Sequence, residues 1–197
     1  MSATLGRRAH KRAAKRAAIV AAATRLFSEQ GYDQTTTQHI ARVADVADGT
    51  VFTYAGTKQE LLLMVINAQL RPIVEAAIPR RGDNPEEGIL ETLGPLCDLA
   101  RSQAENTARY LQEVLFGRNG PERQEALALV DLSVSRIADL LPVDEVEGLD
   151  RQELARWLFA SLVTEMLRWL IRRTDQDLQA ALRPHIRILL RGIGAAA

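Results

Sequence analysis

Three adjacent threonines and a glutamine, Thr35-Thr36-Thr37-Gln38, precede Gly49-Thr50, Thr53-Tyr54 and Lys58. Hydroxyl, amide, phenol and ammonium groups are hydrogen-bonding side chains of the types that can meet phosphates and base edges. Arg7, Arg8, Lys11, Arg12, Lys15, Arg16 and Arg25 all come before the first acid, Glu29. Residues 1–60 carry nine basic and five acidic side chains, a net charge of +4 on a chain whose total is zero. The remainder carries −4, so the neutral average hides a positive end suited to a polyanion. Charge alone leaves a solvated basic tail equally open. If a helix reaches back far enough, Arg8, Lys11, Arg12, Lys15 and Arg16 form one cationic stripe at i, i+3, i+4, i+7 and i+8.

Signatures of covalent chemistry are missing. The chain has no phosphate loop, no GxSxG, no HExxH and no paired cysteines. His10, His39 and His185 are too scattered to suggest a metal site. No enzyme activity, catalytic residue, cofactor or metal is therefore expected.

The elements that must hold these groups are helical. Ile19, Ala22, Ala23, Leu26 and Phe27 share one face of a helix expected from about His10, with residues 1–8 as a disordered arm. Gly31 suits the positive φ of a helix end. Thr35 with Gln38 has the form of a capping box opening a short helix with Ile40, Ala41, Val43 and Ala44. Asp45 falls where the chain must turn, Val46 can plug the angle between two helices, and Asp48 can cap the next helix, Gly49 to Tyr54. Thr57 with Glu60 is a second capping box. Two short helices joined by a tight turn, between two longer ones, have the layout of a helix-turn-helix from about Thr36 to Tyr54.

Downstream, a long helix from Lys58 should kink or split at Pro72. Residues 80–85 form a loop. A helix from about Glu86 is interrupted at Gly94-Pro95, and another spans Glu105 to Phe116. Pro121 suits a first helical position. Asp150 with Glu153 can cap the first of two final helices, Asp150–Arg173 and Asp175–Gly192. No strand pattern or internal repeat is visible.

Residues 19–62 resemble the DNA-binding domain of tetracycline-repressor-like (TetR) regulators. The string that carries the likeness is Ile19, Ala22, Leu26, Phe27, Gly31, Tyr32, Thr35-Thr36, Ile40-Ala41, Ala44, Val46, Gly49-Thr50, Tyr54, Lys58 and Leu61. The sequence departs from that pattern at Asp45 for a usual glycine, Ala47 for a frequent serine cap, Phe52 for a frequent tyrosine and Ala55 for a usual phenylalanine. The resemblance implies an all-α protein of about nine helices. Residues 1–56 would form a three-helix helix-turn-helix domain with a basic N-terminal arm. Residues 57–197 would form a helical ligand-binding and dimerisation domain.

In such a motif the second short helix enters the major groove while the first crosses the backbone. Gly49, Thr50, Thr53 and Tyr54 would face the groove. Thr36, Thr37 and Gln38 would meet phosphate at a helix N-terminus, with Lys58 and Arg12 adding charge. The expected role is a repressor that binds a palindromic operator on double-stranded DNA as a homodimer, with half-sites roughly 34 Å apart, and that a small, mostly apolar molecule releases.

The stretch from Leu154 to Ile171 leaves little polar face, and a helix apolar on most sides must bury two of them. The resemblance implies that the last two helices make a four-helix bundle across the dimer axis, with Leu158, Leu162, Met166, Leu182, Ile186 and Leu189 at the interface. Burial in one monomer core is the other reading. The ligand pocket would lie among residues 60–170, with Cys97, Tyr110, Phe116, Trp157 and Trp169 as candidate liners, ordinary packing being the alternative for each.

No apolar run is long enough to span a bilayer, no signal-type segment follows the N-terminal charges, and the single cysteine excludes an internal disulfide. A cytoplasmic protein is expected. The rival reading, a helical adaptor with a basic membrane-binding end, needs a bulky apolar face beside the charges. Residues 10–18 offer alanines there instead.

Overall fold

The computed structural model describes residues 2–77, 84–142, 145–146, 148–172, 175 and 177–196. Among them are nine α-helices: α1 Ser2–Gln34, α2 Thr37–Val43, α3 Asp48–Tyr54, α4 Lys58–Ala76, α5 Pro85–Ser102, α6 Ala104–Phe116, α7 Pro121–Ala138, α8 Arg151–Arg172 and α9 Leu178–Ala196. The only strands described are β1 Glu145–Val146 and β2 Leu149–Asp150, a two-residue antiparallel pairing with Glu145 opposite Asp150.

The expected arm is helical. α1 begins at Ser2 and not near His10; Ala3, Leu5, Arg7, Arg8 and Ala9 in the added stretch are good helix formers. Its apolar stripe, Ile19, Ala22, Ala23, Leu26 and Phe27, is buried as expected. Gly31 breaks the helical run with φ 78°. A Cβ there would run into the Glu105 carboxylate, whose Oε1 accepts a hydrogen bond from Asp33 N at 3.0 Å. Glycine therefore serves both the left-handed backbone and the close approach of α6.

The first cap lies one residue later than expected. Thr36 Oγ1 accepts from His39 N at 3.1 Å. Thr35 is fully buried; its hydroxyl lies 2.7 Å from the Gly31 carbonyl and accepts from Gln30 Nε2 at 3.1 Å. Asp45 takes φ 53°, the left-handed turn expected of it. Asp48 does not cap α3: Ala47 holds that position with no side-chain bond, and Asp48 lies inside the first turn, where its charge meets the positive end of the helix. Thr57 Oγ1 accepts from Glu60 N at 3.1 Å, and the Glu60 carboxylate reaches back to Gly56 N at 2.8 Å. Asp150 and Glu153 cap α8 reciprocally at 2.8 and 3.0 Å.

Pro72 and Pro95 split neither α4 nor α5, and Pro184 lies inside α9 in the same way. Each proline and the residue four before it (Ala68, Glu91, Ala180) is exposed. Water can satisfy the carbonyl that loses its partner, which removes part of the penalty of an interior proline. The loop expected at 80–85 falls largely on residues outside those described; Asn84 caps α5 by accepting from Glu87 N at 3.4 Å, with Pro85 in its first turn.

Packing divides the chain into two compact units. The first comprises residues 1–69 and 105–126, the second 70–104 and 127–197. This grouping differs from a single cut after residue 56, because the middle of the chain returns to the first unit. There Asn106 Nδ2 donates to the Phe27 carbonyl at 3.0 Å. Tyr110 Oη donates to Asn67 Oδ1 at 2.9 Å, and Asn67 Nδ2 to the Glu122 carbonyl at 2.7 Å. These groups are buried, and a buried polar group without a partner costs about 1–3 kcal/mol. They therefore fix α6 and the start of α7 against α1 and α4. The second unit packs Ile89, Leu93, Ile137, Leu158, Leu162, Leu182 and Ile186 from α5, α7, α8 and α9, with Leu141 just after α7, into one apolar core.

Candidate nucleic-acid interface

The α2–α3 pair is held by its inward side chains. Ile40 and Ala41 of α2 and Val51 of α3 are buried, as is Ala55 just after α3. At about 100° per residue, Val51 and Ala55 fix the inner face of α3 and turn Gly49 and Thr53 outward. The turn closes by Val46 N donating to the Ala41 carbonyl at 3.0 Å.

The outer face carries most of the expected reading residues. Gly49 and Thr53 are exposed and Thr50 is half-buried. Thr53 Oγ1 donates back to the Gly49 carbonyl at 3.3 Å. Tyr54 is half-buried on the flank, with its hydroxyl donating to the Arg12 carbonyl of α1 at 3.3 Å. That bond ties α3 to the basic stretch of α1. At the start of α2, Thr36 and Gln38 are exposed and Thr37 half-buried, with the Thr36 hydroxyl engaged as the cap.

The basic stripe is real as a surface. Every residue from Arg7 to Ala17 is exposed, and Arg8, Lys11, Arg12, Lys15 and Arg16 lie on one uninterrupted helix. Arg16 pairs with Glu122 at 3.2 Å. The exposed face alternates charge with alanine and lacks the bulky apolar row that a membrane-surface helix uses. Lys58 sits differently from a free cation. Its ammonium lies 4.1 Å from the Tyr32 ring centre and donates to the Asp33 carbonyl at 3.4 Å. Burial lowers its pKa from the ordinary lysine value, against the opposing pull of Asp33 and Glu105. Arg109 closes this corner with two hydrogen bonds to the Asp33 carboxylate, at 3.1 and 3.3 Å.

The five candidate pocket residues are divided between the two compact units. Tyr110 and Phe116 belong to the first unit, Cys97, Trp157 and Trp169 to the second. Tyr110 is buried with its hydroxyl engaged by Asn67, and Phe116 is 84% exposed. Cys97 is buried in the core of the second unit, where burial pushes its thiol up to about 12, so it is a packing residue and not a reactive one. Trp169 packs at the edge of that core, whereas Trp157 is 55% exposed. An open groove in the second unit is lined by Pro72, Ile73, Ala76, Glu91, Thr92 and Pro95, none of them on the expected list.

The expected dimer residues lie in or against the core of the second unit. Leu158, Leu162, Leu182, Ile186 and Leu189 are buried within one copy, and Met166 packs against the same core. One chain already accounts for their hydrophobic burial, which is the other reading given above, burial in one monomer core. The apolar side chains left open on α8 and α9 are Trp157, Leu167, Ile171 and Ile188. Sequence periodicity could not tell these exposed side chains from the buried ones, because α8 is apolar on nearly every side. Only the positions of α5, α7 and α9 reveal which side is covered.

Residues 19–65 match the family described as bacterial regulatory proteins, tetR family. The HTH-type transcriptional regulator HbdR of Aromatoleum sp. (strain CIB) is 35% identical over 96 residues, 47% of this chain and 42% of that regulator. The chain thus matches less than half the length of that relative. The fatty acid metabolism regulator protein of Bacillus subtilis (strain 168) is 24% identical over 89% of this chain and 93% of its own. Thermus thermophilus FadR, a TetR-family transcriptional repressor solved in complex with lauroyl-CoA, superposes with a TM-score of 0.71. It is 25% identical, with 90% of this chain and 94% of that one covered.

Proposed function

We propose that this chain is a transcriptional regulator of the TetR kind, to whose family model residues 19–65 match, and that it represses transcription by binding a palindromic operator as a homodimer. Residues 1–56 would read DNA, and residues 57–197 would dimerise and bind the effector. The observation that carries this reading is the open outer face of α3 joined through Tyr54 to the exposed cationic stripe of α1. A reading helix beside a positive strip supplies both terms of operator recognition, base-edge contacts and phosphate charge. One such head is small, so two on a dimer are needed for specific affinity. The exposed apolar side chains of α8 and α9 are the surface proposed for that dimer.

The proposed effector is a fatty acyl-CoA. Two relatives support it: the regulator of fatty acid metabolism and the repressor bound to lauroyl-CoA. The interior of the second unit, with Ile89, Leu93, Cys97, Ile137, Leu141 and Leu158, has the apolar character an acyl chain requires. Entry of a chain would have to open that packing, so the liganded and free states differ in energy, as a population shift demands.

Footprinting of the purified protein on DNA adjacent to its own gene tests the first part. The expected result is a protected palindrome with half-sites about one helical turn apart; no protection on any fragment would defeat the reading. Lauroyl-CoA added to the bound complex should release the DNA, while free CoA and laurate alone should not. Release by neither the thioester nor its parts would exclude the acyl-CoA assignment.

A further inference from the structure

We propose that Phe52 is a specificity-determining residue that reads the C5-methyl groups of thymine in the major groove. This rests on the DNA-binding reading above and deepens it. Phe52 is 50% exposed on α3, a short helix whose inner face is already filled by Val51 and Ala55. An exposed phenyl ring gains nothing in water, and polar side chains would serve solubility better there.

Its neighbours sharpen the assignment. Gly49 lies one turn before Phe52 on the same helix. A Cβ added at Gly49 would meet nothing within 4 Å, and its φ is not positive. Neither internal crowding nor backbone geometry therefore requires glycine, although glycine weakens a helix. What its lack of a side chain does provide is room for an outside molecule to approach beside the Phe52 ring. The third group, the Thr53 hydroxyl, is committed to the Gly49 carbonyl. This exposed strip of α3 thus presents a phenyl ring, a bare backbone and a threonine with its hydrogen already donated. Such a strip discriminates weakly by hydrogen bonds and well by apolar contact. In the major groove the apolar feature on a base edge is the thymine methyl.

The test uses the DNA fragment that the protein protects beside its own gene, prepared with deoxyuridine in place of thymidine at single positions. Deoxyuridine keeps every hydrogen-bonding group and lacks only the methyl. Wild-type protein should lose affinity about four-fold for each contacted methyl removed. Phe52→Ala should bind the unmodified fragment more weakly by a similar factor and show no further loss at those same positions. Phe52→Leu, which keeps an apolar side chain, should retain part of the methyl dependence. Circular dichroism must show an unchanged helix content, as expected for so exposed a side chain. The inference is overturned if Phe52→Ala keeps wild-type affinity, or if its deoxyuridine penalties equal those of the wild type at every position. Failure of the wild-type protein to bind any fragment would instead bring down the DNA-binding reading, and this one with it.

Discussion

In the DNA-binding role proposed above, Gly49 would serve function against stability. It sits in an α-helix with open space where a Cβ would go. Gly49→Ala should therefore raise folding stability by up to about 1 kcal/mol, the usual helix-propensity difference. The same change should weaken operator binding, because the methyl occupies the space reserved for DNA. Thermal melting and gel shift on one preparation check both halves; an increase in stability with unchanged DNA affinity would remove Gly49 from the interface. Arg12 works in the opposite manner. It is an exposed cation on the α1 stripe, and its backbone carbonyl also receives the Tyr54 hydroxyl. Arg12→Ala keeps that carbonyl and removes only charge. Binding to all sequences should weaken alike, with the slope of log K against log salt falling by roughly one unit per copy. A loss confined to one sequence would contradict this.

Among the elements, α5 and α9 are joined by a charged clasp. Arg183 bonds Glu86 and Glu87 at 2.6 and 2.7 Å, and Arg187 Nε bonds both oxygens of Glu86 at 3.0 and 2.9 Å. These hydrogen bonds, from Arg187 foremost and then Arg183, hold the Glu86 carboxyl below its ordinary value of 4.5. A carboxylate whose folded pKa is depressed stabilises the fold above its unfolded pKa. That contribution fades as pH falls through the folded value. Wild type should melt slightly above Glu86→Gln at neutral pH, and the gap should close as the solution is acidified below the carboxylate range. The expected gap is small because Arg183, Arg187 and Glu87 stay open to solvent, although Glu86 itself is largely covered. A gap that widens in acid would reverse the assigned sign. The helix starts belong to this scale too. The caps at Thr57 with Glu60 and Asp150 with Glu153 were legible from residue type and spacing alone, since a cap is satisfied within three or four residues of chain. Asp48 misled the same logic: at the first helical position its charge favours the helix end without bonding a backbone amide.

At the scale of the whole molecule, α4 and α7 each contribute residues to both compact units. The exposed Ile171 and Ile188, at 79% and 65%, lie on the helices whose other apolar faces fill the core of the second unit. If they belong to the dimer surface, Ile171→Asp with Ile188→Asp should yield a monomer in sedimentation, with thermal stability of the single copy hardly altered. Operator affinity should then fall about a hundred-fold or more, because two tethered heads bind far more tightly than one. A double variant that still sediments as a dimer would move the interface elsewhere.

The amino-acid sequence by itself determined the helical class, most helix limits, the left-handed positions at Gly31 and Asp45, and the reading helix with its cationic neighbour. Each of these rests on interactions within one turn of helix or on charge, which are properties of short stretches of chain. Tertiary structure alone decided three matters. It buried Thr35 and left Thr36 to cap α2. It kept α4 and α5 whole because their prolines fall on exposed sides. It also separated the covered face of α8 and α9 from the open one. Burial depends on segments distant in sequence, so an apolar helix carries no local mark of which side another helix will cover. For that reason Leu158, Leu182 and Ile186 proved to be core, whereas Trp157, Ile171 and Ile188 remained exposed.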